Sequence, residues 1–492
     1  MSGEMATIAL QKLNRAQLER LADGLATAIA VSLPWSTSAT SILLVLWLIA
    51  LIPTLQWSDL RRELTTPAGG LPVLLWLLAL LGMLWSDVSL PERLSGLSGY
   101  HKLLAAPLLL AQFRRSERTR WVIVGFFLAS VGVLLLSWLP TIFPGLAGIA
   151  WRKWPGVPVK DYLTQSGIFQ LCVFALAYVA VDDWRRSRRG RAFILAGLAL
   201  LFFGNIIYLA SGRTALVLMP IFILLLGFRL FGWRGLIAAF VAGTVLAGIV
   251  WNSSDYMRAK LTSLIIVWNS PDYMRSQLTS LIKGAKQDPR DVELASAGLR
   301  LEFYRESIAI IMKAPIMGHG TGTIPARFED VATGETGVAG IATRNPHQQT
   351  FAVAIQLGLV GSALLWAMWI AHLLLFRGAG VVPWFGLLVV VQNILGSLFN
   401  SHLFDFTQGW IYVFGVGVLG GAVLREASGP NRLNLGLVFP HKGGGSFNIM
   451  PSVKSSQTAN ADALTSPSPG YKKAVSLGGL TFHLQQGLRH FR

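Results

Sequence analysis

The sequence predicts an all-α polytopic membrane protein, with about 12 transmembrane helices and one large helical loop between spans. Three observations predict it. Hydrophobic residues make up 53% of the 492 residues and charged residues only 13%, where a soluble domain carries about 25% charged residues. Mean hydropathy is +0.53. Apolar stretches of roughly the 20 residues needed to cross a bilayer recur along the chain. This composition excludes a disordered chain and argues against a water-soluble enzyme. The 17 Trp and 26 Phe fit the same class, because aromatic rings gather at bilayer interfaces.

Residues 1–20 are polar and amphipathic. They lack the charged-then-apolar layout of a signal peptide and are expected to stay in the cytoplasm. Twelve apolar segments follow, at 22–36, 38–55, 70–86, 97–113, 121–140, 165–182, 192–209, 215–228, 236–251, 346–376, 381–400 and 406–424. The first is short, and the fourth carries His101 and Lys102. The expected organisation is transmembrane helices 1–9 in 1–251, a loop domain in 252–345 and helices 10–12 in 346–425. Residues 426–492, rich in Gly, Ser, Asn and Pro, read as a disordered cytoplasmic tail.

Charge sets the orientation. With the N-terminus inside, the inner short segments before Arg425 hold 17 Lys and Arg, and the outer short loops hold 6. Basic residues in short loops mark the cytoplasmic side. Both termini are therefore cytoplasmic, and in a bacterium the 252–345 loop faces the periplasm. The net charge of +18 follows from that rule rather than from nucleic-acid binding, for which no motif is present. The single cysteine, Cys172, excludes an internal disulfide and a cysteine metal cluster.

The long loop opens on a repeat of period 17. Residues 251–265 match 268–282 at 12 of 15 positions. Asp255 and Asp272 suit helix caps, and Tyr256, Leu261, Leu264 and Ile265 share a face that the second copy repeats. The pair reads either as interfacial helices touching lipid or as a duplication that lengthens a cap.

Ionisable groups at membrane depth are costly, so those at the outer ends of spans are functional candidates. Four stretches stand out. SGRT, 211–214, places Arg213 at the start of an apolar helix. By itself that arginine reads equally as a snorkelling residue that fixes the helix end. GLRLEFYRES, 298–307, carries Arg300 and Arg305. Glu302 lies three residues before Arg305, so local pairing of Arg305 would leave Arg300 pointing elsewhere. GHGTGT, 318–323, permits a tight turn whose amides could hold an anion; it lacks the Gly-Lys-Ser/Thr of a P-loop, and His319 reads also as a plain loop histidine. RNPHQQTF, 344–351, puts Arg344, His347 and Gln348 where the loop meets the tenth span. Pro346 suits the first helical turn. The helix dipole and the nearby arginine favour a neutral imidazole there, able to accept a proton.

No HExxH motif or histidine cluster occurs in the outer loops. Asp288, Asp291 and Glu293 lie in a solvated charged run, and no metal is assigned to them. Arginine instead supplies permanent charge and a bidentate fork for phosphate.

Taken together, these features resemble the O-antigen ligases of the bacterial polysaccharide ligase and polymerase superfamily. The resemblance covers roughly residues 25–425 and rests on the many-span layout, the long external loop and three motifs. Arg213 in SGRT, Arg300 in GLRLEFYRES and His347 in RNPHQQTF match the family's two arginines and its histidine. One departure is that Gln348 follows His347 where the family often has Asn. The resemblance implies a multispanning glycosyltransferase of the GT-C type in the bacterial inner membrane. Its donor would be a polysaccharide on undecaprenyl pyrophosphate, and its acceptor a sugar hydroxyl of lipid A–core oligosaccharide. Transfer would take place on the periplasmic face without metal or nucleotide cofactor.

The residues support that chemistry on their own terms. Arg213 and Arg300 suit the charge left on a departing pyrophosphate. His347 suits removal of the acceptor proton, and a one-step attack from the opposite face would invert the anomeric centre. Arg93, Lys102, Arg152, Lys153 and Lys160 on outer connections, with Arg344, Gln348 and His319, are further candidates for substrate binding. An O-antigen polymerase or a protein-glycosylating relative would need the same groups. A transporter would keep its charges near the bilayer midplane and repeat its bundle of spans, and no repeated bundle is visible.

Overall fold

The computed structural model describes residues 2–150, 155–210, 212–253, 258, 289–333 and 341–428. These residues form helices, with no β-strand among them. In chain order they are α1 (Ser2–Ser32), α2 (Thr37–Leu51), α3 (Trp57–Leu64), α4 (Pro67–Leu81), α5 (Leu90–Ser98), α6 (Ala105–Arg115), α7 (Thr119–Ile142), α8 (Ala147–Ala150), α9 (Tyr162–Arg185), α10 (Arg189–Tyr208) and α11 (Arg213–Ser253). After the repeat come α12 (Pro289–Lys313), α13 (Ile324–Ala332), α14 (Gln349–Leu375), α15 (Val381–Gly396) and α16 (Phe406–Ser428).

Seven of these helices are long and apolar enough to cross a membrane, or eight if the pair α3 and α4, bent by 83°, is one span. Twelve were expected, and the difference has local causes. The expected spans 215–228 and 236–251 are two limbs of α11, which turns at Gly232 with φ 62°. The expected span 97–113 is split into α5, a 3₁₀ turn at His101–Leu104 and the 11-residue α6. The helix α15 has only 16 residues. The polar start and the first span form one helix, α1, rather than two segments. Apart from 251–253 and Arg258, the 17-residue repeat lies outside the described residues, as does the expected tail beyond Ser428.

Helix α9 is enclosed on all sides: every residue from Thr164 to Leu176 is buried. A helix buried all round sits at the centre of a bundle. Around it, α2, α7, α10 and α11 turn large apolar side chains outward, among them Ile42, Leu128, Leu200 and Phe240, as lipid-facing helices do. Trp47, Trp369 and Trp384 are fully buried between the helices. The helices α6 and α16 meet at backbone distance, since a methyl group on Gly417 would lie 2.3 Å from Leu109 Cβ. Small residues permit such close contact in membrane bundles.

The basic residues of the expected inner segments converge at one end. Arg62 and Arg114 both reach the buried Glu63 carboxylate at 2.9 Å. Arg115 pairs with Asp59 at 3.4 Å, and Arg425 of α16 donates to the carbonyls of Phe113 and Ser116. Gln112 joins Trp47 and Asp23 behind them, at 2.8 and 2.9 Å.

At the other end, α14 is broken. Gly358 has φ 62° and ψ −157°, which interrupts the helical ladder inside an apolar segment. The segment 315–322 repairs the break from both sides. Pro315 O and Ile316 O accept from Leu359 N (2.8 Å) and Val360 N (3.3 Å). His319 N and Gly320 N donate to Ile355 O and Gln356 O, each at 2.9 Å. Gly322 N donates to the buried Gln356 side chain at 2.8 Å, and Thr321 N to Gly82 O at the end of α4 at 3.0 Å. The GHGTGT loop is thus the missing half of a helix ladder. The expected anion-holding role for its amides is corrected: those of His319, Gly320, Thr321 and Gly322 already have partners.

A methyl group on Gly358 would sit 2.1 Å from Ile316 O, on a backbone that L-residues avoid. Gly358→Ala is expected to cost more than about 1 kcal/mol and to lower the melting temperature in detergent. Gly197→Ala, whose new methyl meets nothing within 4 Å, should be neutral or slightly stabilising. Equal melting temperatures for the two variants would contradict this account of the break.

Candidate active site

The repaired end of α14 carries His347. The helix begins at Gln349, so His347 and Pro346 lie outside it; Pro346 was expected in the first turn. Gln348 is the N-cap instead, and its side-chain oxygen accepts from Phe351 N at 2.6 Å. The side chain named as a candidate for substrate binding thus also caps the helix.

His347 has φ 56°, one of two positive values among the described non-glycine residues. The side chains around it hold that conformation. Its main-chain N–H donates to Asn345 Oδ1 at 2.9 Å. Tyr304 of α12 donates its hydroxyl to His347 O at 3.1 Å and also lies 2.9 Å from Leu398 O. The ring stacks on Phe303, with centroids 6.2 Å apart and planes 22° apart. Phe303 in turn packs in a small core with Ile310, Ile324, Phe328, Ala352 and Ile355. Asn400, on the connection between α15 and α16, places Oδ1 3.1 Å from His347 Nδ1.

Burial lowers the pKa of His347, and the positive charge of Arg300 lowers it further; the Asn400 contact works in the opposite direction. The imidazole is therefore held neutral to lower pH than a free histidine. A neutral imidazole has one lone pair available for a proton.

Arg300 faces a polar cavity of about 270 Å³ at the ends of α9, α11 and α16. Asn400, His402, Asp405, Gln392 and Thr214 share its wall. Burial and then Arg300 push His402 down to about 4. The two carboxylates are engaged as helix caps: Asp161 accepts from Thr164 N at 2.8 Å and Asp405 from Gln408 N at 2.8 Å. Arg213 is the first residue of α11, next to Thr214 on the cavity wall; its backbone alone is described. Deeper along α9, α15 and α16 lies an apolar crevice, lined in part by Leu171, Leu388, Ile411 and Phe414. Helices α9, α15 and α16 thus contribute to both the polar cavity and the apolar crevice.

Other sequence candidates have partners of their own. Lys102 is buried, and its ammonium donates to Phe404 O (3.2 Å) and Asp405 O (2.7 Å). Arg93 donates to Val88 O (2.7 Å) and Met83 O (2.9 Å). Lys160 donates to Leu33 O at 2.6 Å and to Thr407 Oγ1 at 2.9 Å. Lys102 and Lys160 both lie within electrostatic reach of Asp405 on the polar cavity wall. The His319 ring nitrogen Nε2 lies 3.0 Å from Ile310 O, within the repair of α14. Arg344 is exposed, and its charge helps hold the Glu92 carboxyl below its ordinary range, after the hydrogen bonds from Ser89. Arg152 and Lys153 lie outside the described residues. Among the described residues no group of three or more His, Cys, Asp or Glu side chains is placed to hold a metal ion.

Asn345, Asn400, His402 and Asp405 escaped the sequence reading. A signal was present, because Asn400, Ser401, His402 and Asp405 form a polar run between two apolar segments.

Residues 198–366 match the family model described as O-antigen ligase. The match encloses Arg213, Arg300 and His347, and it supports the resemblance seen in the motifs. It also supports a glycosyltransferase-type enzyme of the O-antigen ligase and polymerase superfamily, embedded in a bilayer and acting on polysaccharide. A search of curated proteins finds no match.

Carbethoxylation of His347 by diethyl pyrocarbonate, followed by peptide mass spectrometry against pH, is expected to titrate with a midpoint below 6.5. Arg300→Gln removes a repelling positive charge and should raise that midpoint. A wild-type midpoint at or above 6.5 contradicts the electrostatics described.

Proposed function

We propose that the chain is an O-antigen ligase. It transfers a polysaccharide from undecaprenyl pyrophosphate to a hydroxyl of lipid A–core oligosaccharide on the periplasmic face of the bacterial inner membrane. The carrying observation is that Arg300 both lines the polar cavity and acts electrostatically on His347. A charge binder and a proton acceptor thus work within one electrostatic neighbourhood.

The donor's pyrophosphate occupies the polar cavity beneath Arg300, with Arg213 at its rim. The polyprenyl chain runs into the apolar crevice below. The acceptor hydroxyl oxygen attacks the anomeric carbon while the bond from that carbon to the phosphate oxygen breaks. His347 takes the hydroxyl proton. The electron pair leaves with undecaprenyl pyrophosphate, whose charge the arginines stabilise more strongly in the transition state than before it. One displacement inverts the anomeric centre, and the proton balance requires no metal. In this reading the fold is of the GT-C type. Residues 1–251 and 346–425 form the membrane domain, 252–345 the periplasmic domain, and 426–492 a cytoplasmic tail.

Complementation of a ligase-deficient strain tests the proposal. At equal membrane levels, the wild type should restore a capped lipopolysaccharide ladder. His347→Ala should lower transfer by about 10²–10⁴-fold and leave glycan on its lipid carrier. A change in chain length alone would make the chain a polymerase. A fully active His347→Ala would reduce His347 to a structural residue. A requirement for an ion gradient in purified protein would favour a transporter.

A further inference from the structure

We propose that Asn345 and Asn400 are positioning residues that fix the hydrogen of the His347 ring on Nδ1, so that Nε2 presents the lone pair to the acceptor hydroxyl. The proposal deepens the reading of His347 as the base and rests on it. It follows from one group whose role is not open to choice. A main-chain N–H only donates. The N–H of His347 donates to Asn345, 2.9 Å away, so the Asn345 atom there is its oxygen. Ser401 Oγ donates to the same oxygen at 2.7 Å. The amide nitrogen of Asn345 then faces Asn400 at 3.4 Å, and the Asn400 atom that receives it is oxygen too. That oxygen also lies 3.1 Å from His347 Nδ1. An oxygen acceptor demands a hydrogen on Nδ1, and a neutral ring then keeps its lone pair on Nε2.

The relay starts and ends on His347. The relay meets the positive φ of that residue. The N–H of His347 closes an Asx turn on the side chain two residues earlier, and strain such as the positive φ persists where the surroundings over-determine it. It also accounts for an amide at the place where a carboxylate orients the histidine in many hydrolytic triads. A carboxylate would fix the same tautomer but raise the imidazole pKa. It would also add a negative charge beside the site that receives a pyrophosphate. Asparagine orients the ring without the added charge, and its contact raises the pKa only against the larger lowering by burial and Arg300. The other charged and titratable groups near the ring are Arg300 and Tyr304 on α12, His402 and Asp405 on the connection that carries Asn400, and Arg344 on its own segment.

The test uses the full-length protein in detergent. Asn400→Asp keeps the size of the side chain and adds the charge. It should raise the His347 carbethoxylation midpoint by about one pH unit or more and move the acid limb of the transfer rate with it. Asn400→Leu should lower kcat at least tenfold with little change in donor KM, and Asn345→Leu should act in the same direction. An unmoved midpoint in Asn400→Asp, or full kcat in folded Asn400→Leu, overturns the relay. If the midpoint shifts as expected while His347→Ala still transfers glycan, the relay stands and the base assignment falls. The two failures are thereby distinguishable.

Discussion

The unpaired backbone groups at the break in α14 govern the end of the molecule where the site lies. A helix interrupted in apolar surroundings leaves carbonyl and amide groups without partners, and each costs several kcal/mol. The segment 315–322 supplies partners on both sides of Gly358 and also bonds to the end of α4. Because that segment is the direct continuation of α12, the helix carrying Arg300 cannot slide against the helix that follows His347. The distance between the arginine and the histidine is therefore set by main-chain hydrogen bonds, with side-chain packing around Phe303 as reinforcement.

The electrostatics follow the same division of labour. Three cations donate to carbonyls: Lys102 in the turn at 404–405, Arg93 in the turn at 83–88, Lys160 at Leu33. The carboxylates on the cavity wall accept from helix N-termini. Arg300 acts on His347 and on His402 through space. Arg300 thus stands on a cavity wall that also holds Asp161 and Asp405, and the histidine beside it is held neutral to lower pH than a free one.

The helical class was legible, and the three motif residues could be singled out, because each has a local mark. Hydropathy is a property of a window, and Arg213, Arg300 and His347 stand as ionisable groups in apolar or loop-edge surroundings. The asparagine relay had no such mark. Asn345 and Asn400 are separated by α14 and α15, and only folding brings them together. The break was hidden for a related reason. A single glycine inside an apolar run is common in membrane helices, and nothing local tells Gly358 from Gly361. The glycine loop misled in the opposite way: glycines that allow a backbone to approach an anion also allow it to approach another backbone. The partners of Lys102 and Arg93 were hidden because charge in a connection does not reveal whether a carbonyl stands nearby.

The repaired break also orders the assembly of the protein. The segment 315–322 precedes α14 in the chain, so it is synthesised before the helix whose gap it fills. Once 289–322 has been made, the partners for Ile355, Gln356, Leu359 and Val360 are available as that helix forms. Were the order reversed, α14 would wait in the bilayer with its backbone open. Chain order thus spares the nascent protein a stage that the bilayer would penalise.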